Sequence, residues 1–199
     1  NGIKIWHSVK KELDSLDVQY TTYFTEYSLH ATEIVREICE SISGVKNIVV
    51  LGGDGTINEV INGIPDYDDV ILGYIPSGSS NDLARSLNLP KDPIEGLKNI
   101  LTPNRFQYVD TGYLVGDSEK INRRFSVSCG LGFDANTCVE VNRSKLKKVF
   151  NRYGLGKLTY IIIALKVLMT TPFMDVSVIM DGTTFKSYKK VLLITSMIH

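Results

Sequence analysis

Two stretches of small and polar residues in this chain of 199 residues are suited to holding an anion. The first is Gly52-Gly53-Asp54-Gly55-Thr56-Ile57-Asn58-Glu59, directly after the apolar run Ile48-Val49-Val50-Leu51. Paired glycines let a backbone approach a ligand closely, and a helix that starts beyond them aims its free N–H groups and positive dipole end at the same point. That combination favours phosphate. Asp54 would repel phosphate unless a cation or water network stood between them, so its presence points to Mg²⁺-linked chemistry. Thr56 adds a hydroxyl donor, and Asn58 an amide that can donate to phosphate or hold the turn. The plainer alternative is that Asp54 and Thr56 only cap a helix.

The second stretch, Ile75-Pro76-Ser77-Gly78-Ser79-Ser80-Asn81-Asp82-Leu83-Ala84-Arg85, follows the next apolar run, Val70 to Ile75. Alone it also reads as a serine-rich loop with an Asn-Asp helix cap. Ligands of open α/β sheets bind beyond the carboxyl ends of the strands, so two such turns can line one crevice. The first turn is not a Walker loop, because the lysine that would reach the phosphates is absent. The spaced glycine fingerprint of dinucleotide enzymes is missing as well.

The elements around the turns alternate. Trp6, Val9, Leu13 and Leu16 share one face of a first helix, and Val18 to Phe24 alternates β-branched and aromatic residues with polar ones as a strand does. A second helix has Ile34, Val35, Ile38, Cys39 and Ile42 on one face and Gly44 at its end. Ile48 to Leu51 reads as a parallel strand covered on both faces. The helix after the first turn presents Ile57, Val60, Ile61 and Ile64, with Pro65 as its stop. Asp92-Pro93-Ile94-Glu95 starts a further helix with an acid cap, proline in the first position, and a carboxylate able to reach back. Strand and helix thus alternate to about Leu101, which predicts an α/β fold with an open, mostly parallel sheet and helices on both faces. After that, Val109 to Val115, Phe125 to Gly130, Met174 to Asp181, Thr183 to Tyr188 and Val191 to Thr195 are strand candidates, broken by a helical region from Ala135 to Thr170. Short turns such as Asp181-Gly182 favour antiparallel pairing. The expected division is a nucleotide-binding α/β domain over residues 1–105, then part of a β-rich second domain over 106–199 with inserted helices.

Composition sets the outer limits. Hydrophobic residues make up 43% and charged residues 22%, so the chain is globular rather than disordered. Lys and Arg number 22, as do Asp and Glu, and this balance gives no reason to expect nucleic acid as a partner. Cys39, Cys129 and Cys138 are odd in number and far apart, so reduced thiols and a cytoplasmic setting are the default. His7, His30 and His199 do not sit at metal-ligand spacing, and no metal ligands are assigned. No apolar run approaches the roughly 20 residues of a spanning helix.

Gly52 to Gly63 (Gly-Gly-Asp-Gly-Thr-Ile-Asn-Glu-Val-Ile-Asn-Gly), followed by Ile75 to Asp82, resembles the catalytic domain of the diacylglycerol kinase family, which also includes sphingosine kinases and bacterial soluble lipid kinases. The likeness extends to Thr25-Glu26, Val109-Asp110-Thr111-Gly112 and Gly130-Leu131-Gly132-Phe133-Asp134-Ala135. The Gly-Gly-Asp-Gly-Thr core is shared with NAD kinases; the continuation to Gly63 and the second turn favour lipid kinases. The resemblance implies that Thr25, Gly52, Gly53, Asp54, Gly55, Thr56, Asn58 and Ser79 contact ATP, and that Asp54, Asp82 and Asp110 are the acidic positions important to activity. Gly78-Ser79 stands where the family has Gly-Thr, which keeps the hydroxyl.

The implied reaction is transfer of the ATP γ-phosphoryl group, with Mg²⁺, to a lipid hydroxyl, diacylglycerol giving phosphatidic acid. Both ends of the chain read as cut. The family's first strand and its Asn-Pro turn are expected before Asn1, and its Mg²⁺-associated residues and general base after His199, so these 199 residues alone are expected to turn over feebly. A lipid acceptor implies contact with the inner membrane surface. Arg143, Lys145, Lys147, Lys148, Arg152, Lys157 and Lys166, with no acid between Val141 and Thr170 and with apolar Leu158 to Leu168 beside them, suit an anionic bilayer; a solvated charged face beside a core helix is the plain alternative. A kinase of a soluble substrate such as NAD, or a regulatory module that binds nucleotide without turnover, are the competing functions. Pairing of two copies is left open.

Overall fold

A computed structural model describes residues 2–116, 122–143 and 156–198. The chain forms two compact units, Asn1–Val127 with Ile198–His199, and Ser128–Met197.

The first unit is a three-layer α/β arrangement built on two parallel strands, β1 (Lys46–Gly52) and β2 (Val70–Pro76), in register from Lys46 opposite Val70 to Gly52 opposite Pro76. Side chains alternate across a strand, so neighbouring residues feed opposite faces. Val50 and Tyr74 enter one core with Ala31 and Val35 of α2 (His30–Ser41) and Ile57, Val60 and Ile61 of α3 (Asp54–Gly63). Leu51 and Ile75 face a second core with Val9 and Leu13 of α1 (Gly2–Ser15) and Leu97 of α5 (Pro93–Leu101). The short α4 (Asp82–Ser86) adds Leu83 and Ala84 to the first core. Thus the carboxyl ends of both strands are covered on two faces, as the apolar runs predict. The amino-terminal parts are more open: Val49 is 47% exposed and Ile71 38%.

The helix boundaries follow local chemistry. Asp92 caps α5 by accepting from Ile94 N at 3.0 Å and Glu95 N at 2.8 Å, with Pro93 behind it. α2 ends instead at Ile42, which is extended and donates its N–H to Ile38 O at 3.1 Å; Gly44, at φ 78°, lies two residues further on and does not cap the helix.

One expected element is absent. Residues 18–26 pair with no strand; Tyr20 and Phe24 instead meet the Trp6 ring edge-on at 6.1 and 5.9 Å. The alternation of aromatics that suggested a strand serves packing on α1, and the backbone finds no neighbouring strand among the described residues.

The remaining strands are antiparallel, as expected. β3 (Gly112–Val115) pairs with β4 (Asn122–Phe125) and belongs to the first unit. The expected strand from Phe125 to Gly130 is divided by a bend at Ser126 and Val127. The contact boundary falls there rather than near residue 105, because β4 is hydrogen-bonded to α3 through Asn62 and Arg124.

In the second unit β5 (Ser128–Gly132) pairs with β8 (Leu193–Met197), and β6 (Met174–Met180) with β7 (Thr184–Val191) around Asp181 and Gly182, both at positive φ. Its helices are α6 (Phe133–Arg143) and α7 (Gly156–Thr170). Among the described residues no helix is long and apolar enough to cross a membrane. Of the basic run, Lys145, Lys147, Lys148 and Arg152 lie outside the described residues. Lys166 is 3.6 Å from Glu140, while Ile163 and Val167 of α7 are buried and Ile161, Leu165 and Leu168 exposed.

Candidate nucleotide site

β1 and β2 end level with each other, so the turns that leave them emerge side by side. Ser77 N donates to Gly52 O at 2.7 Å, which carries the sheet ladder one step past the strands. Beyond that bond the turns touch through backbone: a Cβ added at Gly78 would lie 2.7 Å from Gly53 Cα, and one added at Gly53 would lie 3.2 Å from Gly78 Cα. No side chain fits between them. Two glycines face to face therefore set the spacing of the turns.

Gly53 precedes the helix in an extended conformation and caps nothing with a side chain. Asp54 begins α3, yet its Oδ1 points across to the second turn and accepts a long bond from Leu83 N at 3.4 Å. That bond serves the first turn of α4 rather than Asp54's own helix. In the second turn Asn81 adopts φ 52° and bends its amide back on Gly78, accepting from Gly78 N at 2.9 Å and donating to Gly78 O at 3.0 Å. It makes no side-chain cap bond to α4, so the cap reading of that turn fails. Asp82 is held by Arg85 one helical turn later.

Beneath both turns lies Tyr74, 8% exposed, with its phenol 3.4 Å from Gly52 O. Burial first, then the negative charges of Asp54 and Asp82, push its phenol up to about 12. Gly55 is exposed in the first turn of α3 and has nothing within 4 Å of an added Cβ. Thr56 sits against Gly52, where a Cβ would be 2.6 Å from Thr56 Cβ. Open space over Gly55, N–H groups at the start of α3, and a neighbouring glycine turn can receive a chain of phosphates.

The structure gathers Gly52, Gly53, Asp54, Gly55, Thr56 and Asp82 around the two turns, with Asn58 one turn further along α3 and Ser79 exposed at the tip of the second turn. Thr25 and Asp110 belong to other segments. Thr25 is exposed in the segment before α2, where His30 Nδ1 accepts from Glu26 N at 3.0 Å, and Asp110 is exposed just before β3. Tyr74 and the bracing amide of Asn81 were not anticipated. A hydroxyl inside an otherwise apolar strand was the available signal for Tyr74.

Residues 1–114 match the diacylglycerol kinase catalytic domain family. The chain is 33% identical over 164 residues to a Bacillus subtilis protein named "Putative lipid kinase YtlR", covering 80% of this chain and 52% of that one. It is 28% identical over 183 residues to a Staphylococcus aureus protein named "Diacylglycerol kinase", covering 89% and 54%. Among solved structures, one titled "A putative diacylglycerol kinase from Bacillus anthracis str. Sterne" superimposes with a TM-score of 0.55 at 23% identity, over 86% of this chain and 52% of that one. This likeness supports the fold. The chain spans about half the length of these relatives.

Proposed function

The chain belongs to the diacylglycerol kinase catalytic domain family, and from that premise we propose that it forms the nucleotide-binding part of an ATP-dependent kinase that phosphorylates a lipid hydroxyl, with diacylglycerol the first acceptor to test. The observation that carries the reading is the juxtaposition of the two turns, with Gly53 against Gly78 and Asp54 reaching α4.

In this account the amides at the start of α3 and in the second turn bind and orient the phosphates, while Thr56 and Ser79 add hydroxyl donors. Phosphoryl transfer depends mainly on such positioning and on charge neutralisation. Asp54 and Asp82 fit Mg²⁺ held jointly with phosphate oxygens: hard oxygen donors suit it, and among the described residues no cluster of three or more acidic, His or Cys side chains forms a cage of its own. When bound, the ion would neutralise phosphate charge beside these carboxylates. Acting on a lipid places the protein at a membrane surface, on the cytoplasmic side.

The test is incubation of the full-length protein with labelled ATP, Mg²⁺ and separate acceptors: diacylglycerol, monoacylglycerol, sphingosine, undecaprenol and NAD. Label in a lipid product supports the proposal. Label only in NAD transfers the site to soluble substrates, and ATP binding without any labelled product indicates a nucleotide-binding module.

A further inference from the structure

We propose that Asn62, Arg124 and Tyr67 form a positioning cluster that holds the segment carrying Asp110 at the far end of the same helix whose first turn carries Asp54. The catalytic part of this inference rests on the kinase reading above.

Asp110 has little to fix it locally. Residues 102–111 belong to no helix or strand, and Asp110 itself is exposed. Its placement therefore depends on β3, which begins two residues later and whose strand partner is β4. β4 is fastened to α3 by a side chain that imitates a neighbouring strand. Asn62 Oδ1 accepts from Arg124 N at 2.8 Å, and Asn62 Nδ2 donates to Arg124 O at 2.9 Å. Both backbone groups of one residue are thus satisfied by one amide, a pairing that fixes direction as well as distance.

The Arg124 side chain then closes the end of α3. Its guanidinium donates to Ile64 O at 2.5 Å and to Ile61 O at 3.4 Å, carbonyls at a helix terminus that lack onward helical donors and carry the negative end of the dipole. The same guanidinium lies 4.7 Å from the centroid of the Tyr67 ring. Tyr67 donates its hydroxyl to Ile61 O at 3.2 Å, and the Thr111 side chain lies beside it. Thr111 is the immediate neighbour of Asp110. The segment is therefore held through the β3–β4 ladder, whose fastening ends on the last turn of α3.

Asp54 and Asn62 are eight residues apart on one helix, about 12 Å along its axis. A rigid element of that length sets Asp54 directly and Asp110 through the cluster. Loosening the cluster should misplace Asp110 while leaving the glycine turns, and hence nucleotide binding, intact.

The experiment compares Asn62→Ala and Tyr67→Phe with the unsubstituted full-length protein by ATP affinity, kcat, KM and amide hydrogen exchange over residues 110–114. Tyr67→Phe removes the hydroxyl bond to Ile61 O and keeps the ring under Arg124, so it decides the matter if Asn62→Ala fails to fold. The expected result is exchange faster by about fivefold or more and kcat lower by about 5- to 30-fold, with ATP affinity within about twofold of the original. Unchanged exchange in both variants overturns the positioning role. ATP affinity falling in step with kcat also overturns it, because the whole helix has then moved. No turnover by the unsubstituted protein with any acceptor refutes the kinase reading, and with it the catalytic part, whereas the exchange result still judges the positioning role by itself.

Discussion

Replacing Gly55 by alanine separates the demands of folding from those of binding. Gly55 lies in the first turn of α3, at negative φ, and nothing stands within 4 Å of the added Cβ. On folding grounds alone the change should help, since glycine within a helix costs about 0.5–1 kcal/mol relative to alanine. For a unit of this size that gain raises the melting temperature by about 2–6 °C. The same methyl group fills the open space over which phosphate is proposed to lie. Losing one charge-assisted bond from an N–H to phosphate costs about 1.5–3 kcal/mol, which weakens ATP binding by about 10- to 140-fold. Thermal unfolding and calorimetric titration with ATP, on the same samples, measure both effects. A variant that melts as high as the original or higher and still binds ATP equally well would refute the placement of the ligand over Gly55. One that melts well below the original would refute the claim that the space is open.

Four further changes test neighbouring parts of the account. Gly78→Ala should destabilise by about 1–3 kcal/mol in urea unfolding, because its Cβ meets Gly53 Cα at 2.7 Å and backbone cannot give way; Gly53→Ala, with its nearest contact at 3.2 Å, should cost less. Tyr74→Phe should flatten the alkaline limb of the stability curve. The unfolded phenol ionises near 10 and the folded one at about 12, so the neutral phenol's contribution is complete below pH 10 and is lost as pH rises towards 12, a loss the variant lacks. Asp92→Ala, which removes two bonds from the start of α5, should cost about 1 kcal/mol in the same urea assay.

Local chemistry made much of this molecule readable. The cap at Asp92, the helical faces at Ile57, Val60 and Ile61, and the apolar strands β1 and β2 all announce themselves over a few residues. The first turn was legible because glycine pairs and a helix start occur together. Residues 18–24 misled because alternation reports where side chains go, not whether a neighbouring backbone offers hydrogen bonds; here the side chains serve Trp6. The bonds between Asn62 and Arg124 span 62 positions, and neither residue type signals the other. The assignment of β3 and β4 to the first unit was hidden for the same reason. Tyr74 was hidden differently, since a tyrosine in an apolar strand looks like core until the carboxylates above it are placed.

The central claim is that both turns belong to one phosphate site. Titrating the isotopically labelled protein with Mg-ATP and following backbone amide resonances tests it most directly. The account predicts that Gly53, Gly55 and Thr56 shift together with Gly78 and Ser79 along a single saturation curve. Shifts confined to one turn, or absent from both at saturating nucleotide, would contradict it.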